Sequence, residues 1–251
     1  KLRAWQPDLV HANSAAVAMV PAVIAHMDVP LIWHIRELPE AQYLLHIDVG
    51  QGGYGRHLRQ ADRLIAISGA VKADIQRYAG PVETDVILNG VLRKAEYAEL
   101  ATHSEVRWQD QDAPFTFLLA GVIHPSHGQE DAIRSLALVN RRIPTARLVL
   151  AGGGKAAHLQ RLAKELGVAD RVEFRGFVHD MRPLFQHAHG FLMCSRNEAM
   201  GRVTVEAMGS GLPVIGHASG GTPELINGHG GLLYSNGPEE LAAHMLRLAS
   251  D

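Results

Sequence analysis

Short apolar runs rich in β-branched residues alternate with segments of helical period along almost the whole chain. The strand-like runs cover 9–14, 30–35, 63–68 and 86–90, then, after a gap, 115–121, 147–152, 172–176, 190–195, 213–216 and 231–234. Most are apolar throughout rather than alternating, as expected for strands buried on both faces. Between them, Leu159, Leu162, Ala163 and Leu166 keep i, i+3, i+4, i+7 spacing, and Leu241, Met245 and Leu248 keep i, i+4, i+7. Ser68 stands where a helix N-cap belongs, and Thr222-Pro223-Glu224 offers a hydroxyl at N-cap with proline at N1. Repeated β-α-β units of this kind predict an α/β fold of doubly wound parallel sheets.

Residues 93–114 interrupt the rhythm, being polar with no strand-like run. The expectation is two Rossmann-like domains: a partial one over 1–93, a linker over 94–113, and a second domain over 114–251. The first reads as incomplete, because only four strand-like runs precede the linker. Within it, segment 36–62, with Gly50, Gly52, Gly53 and Gly55, reads as a mobile loop around a short helix.

Composition narrows the function classes. With 24 Lys and Arg against 26 Asp and Glu, the net charge of −2 supplies no basic surface for nucleic acid. A single cysteine, Cys194, makes no internal disulfide and reads as a small buried hydrophobe. No Cys/His set has zinc-ligand spacing, and no run of about 18 apolar residues exists to span a membrane. A soluble, cytoplasmic globular protein is the expectation.

In open α/β sheets ligands bind at the carboxyl ends of the strands. One run there ends in Gly152-Gly153-Gly154, followed at once by a predicted helix; glycine there suits either close approach to a phosphate or a plain tight turn. More informative is 196–226, RNEAMGRVTVEAMGSGLPVIGHASGGTPELI. A loop carries Glu198, Gly201 opens a short helix, and Glu206 lies within it. A carboxylate can accept two hydrogen bonds side by side from vicinal hydroxyls, and the N–H groups near Gly201 and Arg202 suit an anion. The same residues also read as a solvated loop acid, a first-turn acid and an exposed arginine.

The string from Glu198, E-A-M-G-R-V-T-V-E-A-M-x-x-G-x-P-V, with G-G-T-P-E at 220–224, resembles the donor site of the family-4 retaining glycosyltransferases. PDLVHANS, PLIWHIREL, ADRLIAIS, VILNGV, AGVIHPSHGQEDAI and VEFRGFVHDM extend the similarity through nearly the whole chain. The resemblance implies a GT-B fold with an acceptor-side first domain and a second domain that binds a nucleotide-diphosphate sugar. Glu206 would hold the donor ribose hydroxyls, and Glu198 would face the transferred sugar as a catalytic residue. Gly220, Gly221 and Thr222 would form a turn beside that sugar and the phosphates, with Gly121, His127, Gly153, Gly201 and Arg202 also toward the donor. Backbone at Phe177 and Val178 would lie near the base. His34 matches a family histidine that contacts the donor sugar, or else is a strand-end histidine with a backbone partner. The family needs no metal and no cofactor beyond the donor. Its acceptors are saccharides or lipid-linked hydroxyls, which fits peripheral contact with the inner face of a membrane.

Departures from the family pattern are equally specific. Where the family reads G-R-x-x-x-x-K-G, this chain runs from Gly121 to Gly128 with Val122 and His127 at the two basic positions. Leu92 replaces a common aspartate after NGV. The family's early glycine-rich loop and its crossing C-terminal helix find no counterpart here. Three readings follow: an active retaining glycosyltransferase, a truncated or impaired nucleotide-sugar-binding module without transfer, and, less favoured, a nucleotide-sugar epimerase on the same two-domain fold.

Overall fold

The computed structural model describes residues 2–44, 46–102, 113–228 and 230–250. Its strands fall into two parallel sheets. The first contains β1 (Val10–Asn13), β2 (Leu31–Ile35), β3 (Arg63–Ala66) and β4 (Thr84–Val86), in that order. The second contains β5 (Thr116–Ala120), β6 (Arg147–Ala151), β7 (Val172–Gly176), β8 (Gly190–Met193), β9 (Val214–His217) and β10 (Leu232–Tyr234). Its order is β10-β9-β8-β5-β6-β7, so the winding reverses between β5 and β8. Contacts divide the chain into a unit of residues up to Asn89 plus Asn197–Met200, and a unit of Gly90–Arg196 plus Gly201–Asp251.

Unbroken apolar character in the second sheet is explained by its two cores. Phe117, Leu119, Leu148, Leu150 and Leu192 face one cluster, which includes residues of the helices Gln129–Val139, Ala157–Glu165 and Pro238–Ser250. Leu118, Val149, Phe191 and Met193 face another, completed by the helices Arg182–His187, Arg202–Gly209 and Thr222–Ile226. Successive residues of a strand point to opposite faces, so both parities must be apolar.

In the first unit, fully buried Trp33 meets Tyr54 edge-on at 5.7 Å and donates its indole N–H to the Ser14 carbonyl at 2.9 Å. Ser68 caps the helix Gly69–Ala79, its hydroxyl accepting from the Val71 N–H at 3.1 Å.

Three sequence expectations require correction. Segment 36–62 holds two helices, Pro39–Tyr43 and Gly50–Leu58, rather than one short helix in a mobile loop. Gly55 serves packing: a Cβ there would lie 2.0 Å from the Tyr78 carbonyl oxygen. Thr222 is the first helical residue and Gly221 the N-cap, with no side-chain cap. Finally, β4 reaches only the first residue of the apolar run at 86–90, and Val86, Ile87 and Leu88 stay exposed. Of the predicted linker 94–113, Lys94–Thr102 is helical and 103–112 lie outside the described residues.

Candidate active site

The Glu198 loop follows β8, and its residues Asn197–Met200 belong to the first unit. Asn197 takes a left-handed conformation (φ 54°) and donates its side-chain amide to the Ala41 carbonyl at 3.1 Å. Glu198 Oε2 accepts from Gln42 Nε2 at 3.0 Å. The Ala199 carbonyl accepts from the buried Ser68 hydroxyl at 2.6 Å, and Ala199 and Met200 are themselves buried. This loop is therefore anchored rather than trailing in solvent. In the same unit His34, on β2, stacks almost parallel on His11 at 6.1 Å. Its Nε2 is buried with no hydrogen-bond partner among the described residues, so the strand-end reading with a backbone partner does not hold at that atom. Burial, followed by the Arg36 and His11 charges, lowers its pKa and keeps the ring neutral at pH 7.

In the second unit Gly201 adopts φ 78° and starts the helix Arg202–Gly209. A Cβ is disfavoured in that left-handed conformation, which gives the glycine a physical reason. Arg202 is exposed, while Glu206, one turn further on, is half-buried. Burial raises the Glu206 pKa, with the Arg202 charge opposing. This carboxylate has lost hydration that a ligand hydroxyl can replace.

Loops after β5, β6 and β7 are stitched together by backbone bonds. Gly121 N–H donates to Ala151, Ile123 N–H to Gly153, and Gly152 N–H to Gly176, all at 2.7–2.9 Å. A Cβ on Gly152 would lie 1.8 Å from the Gly121 oxygen, so Gly152 has a packing cause of its own. The helix after it begins only at Ala157, later than the sequence suggests. At Gly153 there is more room, since an added Cβ would meet Phe177 Cβ first, at 3.8 Å. His127 lays its ring over Gly121, where a Cβ would come within 2.6 Å of Nδ1. Burial, then the neighbouring His124, lowers its pKa. Val122 is 61% exposed.

Gly121, His127, Gly153 and Phe177 thus come together at one end of the sheet. Phe177 is 80% exposed beyond edge strand β7, whereas Val178 packs on the core. Gly220 (φ 61°), Gly221 and Thr222 form the turn after β9, and the buried Thr222 hydroxyl has no partner among the described residues. Burial pushes the Cys194 thiol up to about 12, so it is inert as a nucleophile at neutral pH. Sequence reasoning misses Gln42 and His217. The latter pairs Nδ1 with the Ser219 hydroxyl at 2.8 Å in the turn before Gly220. Among the described residues no group of three or more His, Cys, Asp or Glu could hold a metal ion, and no helix is long and apolar enough to cross a membrane.

Residues 114–251 match the family model described as glycosyl transferases group 1, and residues 1–92 match glycosyltransferase family 4. Glycogen synthase of Mycobacterium tuberculosis is 26% identical over 267 residues, covering 96% of this chain and 59% of the relative. The GDP-mannose-dependent alpha-(1-6)-phosphatidylinositol monomannoside mannosyltransferase of Mycolicibacterium smegmatis is 37% identical over 126 residues, 46% of this chain and 32% of that protein. Anabaena HepE, in its crystal structure with UDP and glucose, aligns with a TM-score of 0.79 and 25% identity over 100% of this chain and 70% of its own. The chain spans about half the length of the curated relatives it matches.

Proposed function

The chain belongs to the glycosyl transferases of group 1 and family 4, and on that premise we propose that it moves a hexosyl group from a nucleotide-diphosphate sugar to a hydroxyl acceptor, with retention and without a metal. The observation that carries this reading is the presence of both an anchored Glu198 and a half-buried Glu206, the latter on the helix that the left-handed Gly201 opens. Glu206 accepts the two ribose hydroxyls, which restore the hydrogen bonds that burial removed. Glu198 accepts from hydroxyls of the transferred sugar, and His34 offers its unpartnered Nε2 to the same sugar.

Charge at the diphosphate comes from the N-terminal N–H groups of the helix Arg202–Gly209, from Arg202, and from the turn Gly220-Gly221-Thr222. Gly121 and Gly153 let backbone approach the donor, with the base beside Phe177 and Val178. His127 donates one hydrogen bond there. Reaction on one face of the sugar then needs position and electrostatics rather than a protein nucleophile. UDP in HepE and GDP-mannose in the mycobacterial enzyme make uridine and guanosine donors the first to test. The acceptor is a saccharide or lipid-linked hydroxyl, presented in the cytoplasm or at the inner face of the membrane. The domains run 1–93 on the acceptor side and 114–251 on the donor side, joined by 94–113.

Specific observations favour a second reading, donor binding without transfer. Val122 is uncharged and exposed, and His127 is neutral at pH 7. Loss of one charged phosphate partner typically costs ~1.5–3 kcal/mol. Donor turnover separates the two readings. With UDP-glucose or GDP-mannose and simple sugar acceptors, Glu198→Ala should lower turnover more than nucleotide affinity. Nucleotide release at background level with every donor, despite tight binding, would leave the binding-only reading standing.

A further inference from the structure

The short helix Pro39–Tyr43 makes ties at three consecutive residues. Glu40 is anchored within its own unit: Oε2 accepts from the Tyr78 hydroxyl at 2.5 Å and from Gln51 at 2.9 Å, with Arg77 at 3.5 Å. The Ala41 carbonyl accepts from Asn197, and Gln42 donates to Glu198 Oε2 at 3.0 Å. Gln42 is only 2% exposed. A primary amide withdrawn from water is costly unless bonded, while a leucine or methionine would fill similar space without that demand. Ser68 adds a further anchor by donating to Ala199 while capping its own helix.

We propose that Gln42 is a positioning residue for the donor sugar, fixing the plane of the Glu198 carboxylate through its buried amide. This rests on the reading that Glu198 faces the transferred sugar. A carboxylate offers about four acceptor sites, so one charge-assisted bond from a rigid donor can set its orientation without exhausting it. The helix cannot drift, because Glu40 fixes it to Tyr78 and Gln51. Gln42 itself acts through Glu198 and contacts no reacting atom.

The test compares UDP with UDP-glucose, and GDP with GDP-mannose, as calorimetric ligands of the 251-residue chain. The quantity read is the gain in affinity that the sugar confers. Gln42→Met should reduce that gain about tenfold while leaving the affinity for the bare nucleotide within about twofold. In a Glu198→Ala background Gln42→Met should have no further effect, because the two act as one unit. Gln42→Glu keeps the size but opposes two carboxylates. It should lose the gain at pH 8 and recover it as the pH falls and the pair comes to share a proton. That recovery would not follow from a merely structural role, and it is readable even if Gln42→Met folds poorly. An intact gain in Gln42→Met, an additive effect on Glu198→Ala, or a pH-independent loss in Gln42→Glu would each overturn the proposal. If Glu198→Ala itself leaves the gain intact, the reading of Glu198 fails and this proposal with it.

Discussion

Glu206 shows how a site residue sets stability against ligand binding. Burial raises its pKa, so the folded chain holds the Glu206 proton more tightly than the unfolded chain does. Its favourable contribution is therefore full below the ordinary carboxylate value and is lost as pH climbs through the raised one. Glu206→Gln should raise the melting temperature at pH 7.5 and change it little at pH 4, while weakening nucleotide binding. A lower melting temperature at both pH values would contradict this account. His34 and His127 carry the opposite sign. Burial leads the lowering of both pKa values, so below about 6.5 the unfolded chain binds the extra protons. Stability from these rings is present above that value and is lost as pH falls toward the depressed ones. Replacing both with asparagine should flatten the fall in melting temperature between pH 7 and 5; an unchanged slope would show that other groups cause it. Glu198 and Glu206 could be singled out from spacing and motif alone. Gln42 could not, because its partner lies 156 residues away and nothing in its own neighbourhood signals burial of an amide.

Among the elements, the glycines of Gly50–Leu58 give the sharpest test. Alanine is favoured over glycine inside a helix by roughly 0.5–1 kcal/mol. At Gly52 the nearest atom to an added Cβ is the mobile end of Arg56 at 3.8 Å, so Gly52→Ala should stabilise by about that amount. At Gly55 the Cβ would meet the Tyr78 carbonyl at 2.0 Å, and backbone cannot yield cheaply. Gly55→Ala should destabilise by about 3 kcal/mol, the clash outweighing the propensity gain. Urea unfolding of both variants reads the two signs; equal effects would mean that the helices at 50–58 and 69–79 do not pack so closely. All ten strand-like runs overlap strands of the structure, since continuous apolar character is a local signal. Glycine frequency misled at 36–62 because close helix packing and loop mobility favour the same residue. Thr222 misled because a hydroxyl before proline resembles a cap, yet Thr222 is itself the first helical residue, buried with its methyl beside Gly216.

At the scale of the whole molecule, two parallel sheets of four and six strands match the GT-B class, and the reversal between β5 and β8 marks where ligands of such sheets bind. This fold class was legible in the sequence because two-faced burial and the motif pointed the same way. That Asn197–Met200 belong with the first unit was not, being a product of bonds from Ala41, Gln42 and Ser68 that no local pattern records. The proposed function turns on Glu206 holding the ribose of a nucleotide diphosphate. The direct measurement is calorimetric titration of the chain with UDP and GDP in the presence of a chelator, beside Glu206→Ala. Micromolar binding of one nucleotide is expected, with a loss of about tenfold or more in the variant, from two charge-assisted hydrogen bonds removed. Equal affinity in the variant, or binding that requires a divalent metal, would contradict it.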